Sequence, residues 1–195
     1  MNNTNNNNKN KNMLNIIIGQ SASGKTTIVE DICKRYNLKS IPSFTTRKPR
    51  QLNEQGHTFV NRSDYDFINT NNKIVIYDKQ QNKNISTIAY TYFNGEHYWA
   101  DIEQAESNDF YIVDKAGIDY FKTVIKNEIN YRIIYITVPL ITRIKRLINR
   151  DGIRKGISRL WNDFKMFRNL EYDYKVVNKD LEESIQEVYR IVRSD

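Results

Sequence analysis

The sequence predicts an α/β fold: a parallel sheet sandwiched by helices, with a small inserted, mostly antiparallel subdomain and a short lid. Three observations carry this. Apolar, β-like runs at residues 14–18, 40–43, 110–114, 131–138 and 175–178 alternate with helical periodicities at 118–126, 140–150, 158–168 and 181–192. Strand–helix alternation of that kind implies parallel strands covered on both faces. The interval 47–100 differs: short β-branched and aromatic runs at 73–77 and 85–93 are separated by polar turns, with a short helix expected near 64–70. Last, residues 151–156 are short, basic and bracketed by glycines, which fits a mobile lid over 151–157 rather than a fixed turn.

Composition narrows the class. Of 195 residues, 39% are hydrophobic and mean hydropathy is −0.70, a deficit owed largely to asparagine. Thirteen Tyr and eight Phe still provide a core, so wholesale disorder is excluded. No apolar run approaches the roughly 18–20 residues that span a bilayer, so no membrane partner is expected. The single cysteine, Cys33, forms no internal disulfide, and with no secretory signal a cytoplasmic location is expected. Thirty Lys and Arg against 23 Asp and Glu leave a net charge of +7, which suits anionic partners. Residues 1–12 are nearly pure Asn and read as a disordered tail; residues 13–195 form one domain.

The chemistry begins after the first strand. Gly19-Gln20-Ser21-Ala22-Ser23-Gly24-Lys25-Thr26 fits G-x-x-x-x-G-K-[ST]. Thr27 follows at the start of a helix whose Ile28, Ile32 and Tyr36 recur at helical spacing. Strand, loop and helix are the context this phosphate-binding loop requires. Its backbone N–H groups turn inward, and the helix that follows points its positive end at the same spot. Gly24 permits close approach, Lys25 reaches the β- and γ-phosphates, and the Thr26 hydroxyl is a ligand for Mg²⁺. The P-loop therefore implies a bound nucleoside triphosphate, and by itself it does not separate a kinase from an ATPase or a GTPase. Downstream, Arg47 and Arg50 lie three residues apart around Pro49, and paired planar guanidinium forks suit a phosphate monoester.

From this point the chain resembles guanylate kinases. The resemblance rests on Ser43-Phe44-Thr45-Thr46-Arg47-Lys48-Pro49-Arg50, Gly95-Glu96-His97-Tyr98-Trp99-Ala100, the strand, Asp and Gly ending at Asp114-Lys115-Ala116-Gly117, Arg146-Leu147-Ile148-Asn149-Arg150, and Glu171-Tyr172-Asp173-Tyr174 with Asn178. These occur in family order. The resemblance implies that Arg47 and Arg50 hold the acceptor's phosphate, with Tyr98 donating to the same group, and that Ser43 contacts the acceptor base. It implies that Arg146, Arg150 and Arg159 approach the transferring phosphoryl group, that Asn178 lies beside the adenine, and that Asp114 sits near Mg²⁺ and the acceptor. An alternative for Asp114 is a helix N-cap. The interval 47–100 becomes the acceptor-binding subdomain.

Three positions depart from the family's pattern. A base-reading Glu aligns with Ala89, a base-contacting Ser or Thr with Ala100, and a phosphate-binding Tyr with His57. The expected reaction is ATP-dependent phosphorylation of a nucleoside monophosphate, GMP or dGMP first. Alternatives are a kinase for another phosphorylated metabolite and a non-catalytic interaction module. The sequence holds no nucleic-acid motif, and its two His do not cluster as metal ligands. Arg143 reads as part of an exposed basic helix face.

Overall fold

The computed structural model describes residues 13–50, 52–70, 73–125 and 129–194; the expected Asn-rich tail lies outside the described residues. The chain runs β1 (Leu14–Ile18), α1 (Lys25–Tyr36) and β2 (Ser43–Thr45) before a β-rich stretch. There β3 (His57–Phe59), a 3-10 turn at Arg62–Asp64, β4 (Tyr65–Thr70), β5 (Lys73–Asp78), β6 (Lys83–Ile85), β7 (Thr87–Phe93) and β8 (Glu96–Asp101) follow one another. Helix α2 (Ile102–Ser107) leads to β9 (Phe110–Ile112), α3 (Lys115–Val124) and β10 (Tyr131–Thr137). A helical pair, α4 (Leu140–Asp151) and α5 (Ile153–Met166), precedes β11 (Tyr174–Val177) and α6 (Leu181–Val192).

All five residues of β1 are buried, as an almost wholly apolar strand demands. It pairs in parallel with β10 on one side and β9 on the other, and the sheet order is β11-β10-β1-β9. Alternation along β1 sorts its side chains between two cores. Ile17 packs with Ile28 and Ile32 of α1 and Ile185 and Val188 of α6. Ile16 and Ile18 face the other way, toward Ile118 and Phe121 of α3. The parallel sheet is thus covered on both faces.

A second sheet, β3-β2-β8-β7, is antiparallel except between β2 and β3, and a third, β4-β5-β6, is wholly antiparallel. Together they occupy the 43–101 stretch. The helix expected near 64–70 is absent: only the 3-10 turn precedes β4, which pairs along its whole length with β5. Tyr65 and Phe67 are spaced by two, the strand period, and both rings find partners across the subdomain. Phe67 stacks on His97 with centroids 3.6 Å apart, and Tyr65 meets Trp99 edge-on at 5.1 Å. Burial of those rings outweighs a weak helical preference.

Other boundaries shift too. The expected strand at 40–43 is only a bridge from Ser40 to Phe110, and the paired strand is β2. The run 85–93 divides into β6 and β7 on different sheets. The segment 151–156 is not an irregular loop: Gly152, at φ 77°, turns the chain and α5 begins at once. Gly156 explains the tight turn, because a Cβ there would lie 3.3 Å from the backbone of Leu147 and Ile148. The two helices pack too closely for any side chain larger than hydrogen without a local shift. Helix α2 had no counterpart among the expected elements.

Candidate active site

The residues that end β1 form a loop closed by two left-handed positions, Ala22 at φ 63° and Gly24 at φ 93°. Gly24 is required twice over, since a Cβ would also sit 2.3 Å from Asn178 Nδ2. The loop encloses a cavity of about 330 Å³ lined by Ser21, Ala22, Ser23, Gly24, Lys25, Thr26 and Thr27 together with Arg150 and Arg159. Gly19 and Gln20 turn their carbonyls to Lys25 Nζ, which donates at 2.7 and 3.2 Å. Burial pushes the Lys25 ammonium down to about 8, opposed by the Asp163 and Asp114 carboxylates. Arg146 is exposed and donates to Ala22 O at 3.3 Å. The Asn178 side chain is buried behind the loop, where Nδ2 donates to Ser23 O at 2.8 Å and Oδ1 accepts from Ser184 Oγ.

A second cavity, about 290 Å³, opens between the sheets. Ser43, Arg50, His57, Ala89, Thr91, Tyr98, Tyr111 and Asp114 are among the residues that line it. Four of the five expected acceptor residues meet here, drawn from β2, the loop after it, β8 and the end of β9. The fifth, Arg47, stands beside Tyr98 and is held by Glu54: Nη2 donates to Oε1 at 2.7 Å and Nη1 to Oε2 at 3.1 Å. Glu54 also accepts the Arg50 backbone N–H at 2.7 Å, and these bonds hold its carboxyl down at about 2. Among the described residues, Arg47 Nε and His57 Nδ1 are buried with no hydrogen-bond partner. Burial and the nearby Arg47 charge hold the His57 imidazole below its usual value, so it is neutral near pH 7.

The Ala89 side of this cavity is built differently from its Arg50 side. Ala89 lines it and is 2% exposed, whereas Ala100 is fully buried in the core and does not line it. Burial pushes the Tyr111 phenol well above its usual range, opposed by the Ser43 hydroxyl. Asp114 has the N-cap position of the alternative reading: its Oδ1 caps α3 by accepting from Gly117 N–H at 2.7 Å.

Both cavities open at the C-terminal ends of neighbouring parallel strands, the cradle after β1 and the second cavity after β9. That is where open α/β sheets bind ligands. Asp114 lines the second cavity yet acts electrostatically on Lys25 in the first.

Comparison with known proteins adds the family. The guanylate kinase family model matches residues 11–195. This chain belongs to the guanylate kinase family. It is similar to the guanylate kinase of Thermotoga maritima, 27% identical over 185 residues, spanning 92% of this chain and 86% of that one. The guanylate kinase of Rickettsia prowazekii is 25% identical over 91% of this chain and 88% of its own. Among solved structures, the guanylate kinase from Anaplasma phagocytophilum superposes with a TM-score of 0.57 over 95% of this chain and 87% of that one, at 16% identity, a likeness of fold. As a guanylate kinase family member the chain is a nucleoside monophosphate kinase, with ATP as phosphoryl donor.

Three residues at the site escaped the sequence reading. Glu54 carried a weak signal in its closeness to the two arginines. Arg143 and Asp163 carried almost none. Arg143 is not on an exposed face: it is 4% exposed, and it bonds to Gln20 and lies 3.4 Å from Asp163. A sequence shows a helix's charged positions but not which of them another element covers.

Proposed function

We propose that this guanylate kinase family member phosphorylates GMP or dGMP at the expense of ATP by direct in-line transfer. The observation that carries the reading is the pair of cavities at adjacent strand ends: one is a backbone cradle with a lysine, and the other is lined by Arg50 and Tyr98, with Arg47 beside Tyr98. ATP's phosphates would sit on the N–H groups of residues 24–27 at the start of α1, with Lys25 leaving its two carbonyl partners to meet the β- and γ-oxygens. Arg47, Arg50 and Tyr98 would hold the acceptor's phosphate, and an anion there would satisfy the orphaned Arg47 Nε. Ser43 would face the base.

In-line transfer needs positioning and cancellation of charge on the equatorial oxygens rather than covalent help. Lys25 and the arginines Arg146, Arg150 and Arg159 on the α4–α5 hairpin supply that charge. The hairpin tip, residues 151–157, would act as the lid of the domain 13–195, and residues 47–100 as its acceptor-binding part. Closure would exclude the water that otherwise takes the phosphoryl group. The donor set fits Mg²⁺: Thr26 is exposed at the cradle and offers a hard oxygen, and Mg²⁺ commonly takes one or two protein oxygens with the rest from phosphate and water. When bound it would neutralise charge on the β- and γ-oxygens. Both substrates are those of a cytoplasmic enzyme.

The test is ADP production from ATP and Mg²⁺ with GMP, dGMP, AMP, CMP, UMP, dTMP and a sugar phosphate as acceptors. The reading expects GMP or dGMP to give the highest kcat/KM. Preference for another acceptor would reassign the pocket, for which buried Ala89 is the first position to examine.

A further inference from the structure

The α4–α5 hairpin turns one face toward the P-loop. Arg143, Arg146 and Arg150 are spaced i, i+3 and i+7 along α4, and Arg159 and Asp163 are i and i+4 along α5, so each set shares a stripe. Contacts descend this face in order. At the tip, Arg150 and Arg159 line the phosphate cradle. In the middle, Arg146 donates to Ala22 O. At the base, Asp163 Oδ2 accepts the Ser21 backbone N–H at 2.8 Å, and Arg143 donates to the Gln20 side chain. The two basal residues also pair with each other, at 3.4 Å, and are 4% and 9% exposed.

We propose that Asp163 and Arg143 are positioning residues for ATP. They clamp the outer limb of the P-loop, Gln20 and Ser21, from the helical side and so set the cradle in register with the arginines at the hairpin tip. The proposal rests on the kinase reading above for its meaning, but its test reads ATP binding alone. Asp163 does not line the cradle. It approaches Ser21 from outside and therefore braces the loop rather than occupying the phosphate's place. Lys25 holds the same limb from inside through the carbonyls of Gly19 and Gln20. The limb is thus held by a cation on one side and a neutralised ion pair on the other.

A purely structural ion pair makes a different forecast. Removing one partner of a buried pair strands a charge, whereas replacing both by apolar residues is often neutral for stability. The experiment compares wild type, Asp163→Ala, Asp163→Asn and the double variant Arg143→Leu/Asp163→Leu. ATP·Mg²⁺ affinity is read by calorimetry without acceptor, thermal stability by melting, and KM for ATP and for GMP by steady-state assay. The double variant is expected to melt near wild type yet bind ATP about tenfold more weakly, with the GMP KM within about twofold; small displacements of a positioned group can cost up to about a hundredfold. Asp163→Asn keeps an oxygen for the Ser21 amide and is expected within about threefold of wild type, while Asp163→Ala loses about tenfold. A double variant that binds ATP as tightly as wild type overturns the proposal. So do equal losses in the Asn and Ala variants, or a GMP KM that rises in step with ATP. Absence of turnover with every acceptor would defeat the kinase reading and leave the calorimetric comparison intact.

Discussion

The cradle after β1 and the cavity after β9 are built by opposite means. The cradle is a single stretch of eight residues whose shape follows from its own dihedrals and glycines, with one fully buried strand before it and a helix after it. The second cavity is assembled from β2, β3, β7, β8, β9 and the start of α3, with residues up to 74 positions apart, between Ser43 and Gly117. A local motif carries most of its geometry in its own residues, and neighbours such as Asp163 and Asn178 only brace it. An assembled cavity can change one wall at a time, and here the apolar wall at Ala89 coexists with a polar wall of Arg50 and Tyr98, with the braced Arg47 beside it. Separate construction implies separate failure.

Lys25→Ala tests that most severely. Loss of the one ammonium in the cradle is expected to lower kcat about a thousandfold, the scale of removing a group that stabilises transition-state charge. The GMP KM should stay within about threefold. A comparable rise in the GMP KM, measured by varying GMP at saturating ATP, would mean that the two cavities are not independent.

Arg47→Ala is the mirror experiment and is expected to be smaller. It removes charge-assisted bonds to the acceptor's phosphate and should raise the GMP KM by about 10–100-fold, with ATP affinity nearly unchanged. Glu54→Gln, which keeps Arg47 charged but loosens it, should fall between wild type and Arg47→Ala.

The smallest effect is in stability. Glu54's carboxyl is held down to about 2 from an ordinary 4.5, chiefly by its bonds to Arg47. A carboxylate with a depressed folded value stabilises the fold above its ordinary value, and that stabilisation is lost as pH falls toward the folded one. The Tm difference between wild type and Glu54→Gln should therefore be constant above about pH 5 and shrink as pH falls toward 2. A gap that stays the same on acidification would show that the Arg47–Glu54 bond contributes nothing to stability.

Legibility followed the same division. Residues 19–27 were readable because spacing alone determines where their N–H groups point, and Leu181–Val192 because its apolar stripe is uninterrupted. Helix α2 was overlooked although its capping box, Asp101 with Gln104, stands in the sequence. Asp163 lies 142 residues from the amide it accepts, and no local pattern connects them.

The strand–helix alternation of the parallel sheet, its two covered faces and the phosphate-binding loop were settled by the sequence itself, because apolar periodicity and glycine placement act over a few residues. Tertiary structure alone decided that Tyr65–Thr70 is a strand, that residues 153–156 continue into a helix, that Asn178 lies behind the loop and that Arg143 is buried. In those segments local preferences differ by roughly 1 kcal/mol or less per residue. Stacked rings, closely packed helices and paired buried charges supply more than that, and only the assembled fold provides their partners.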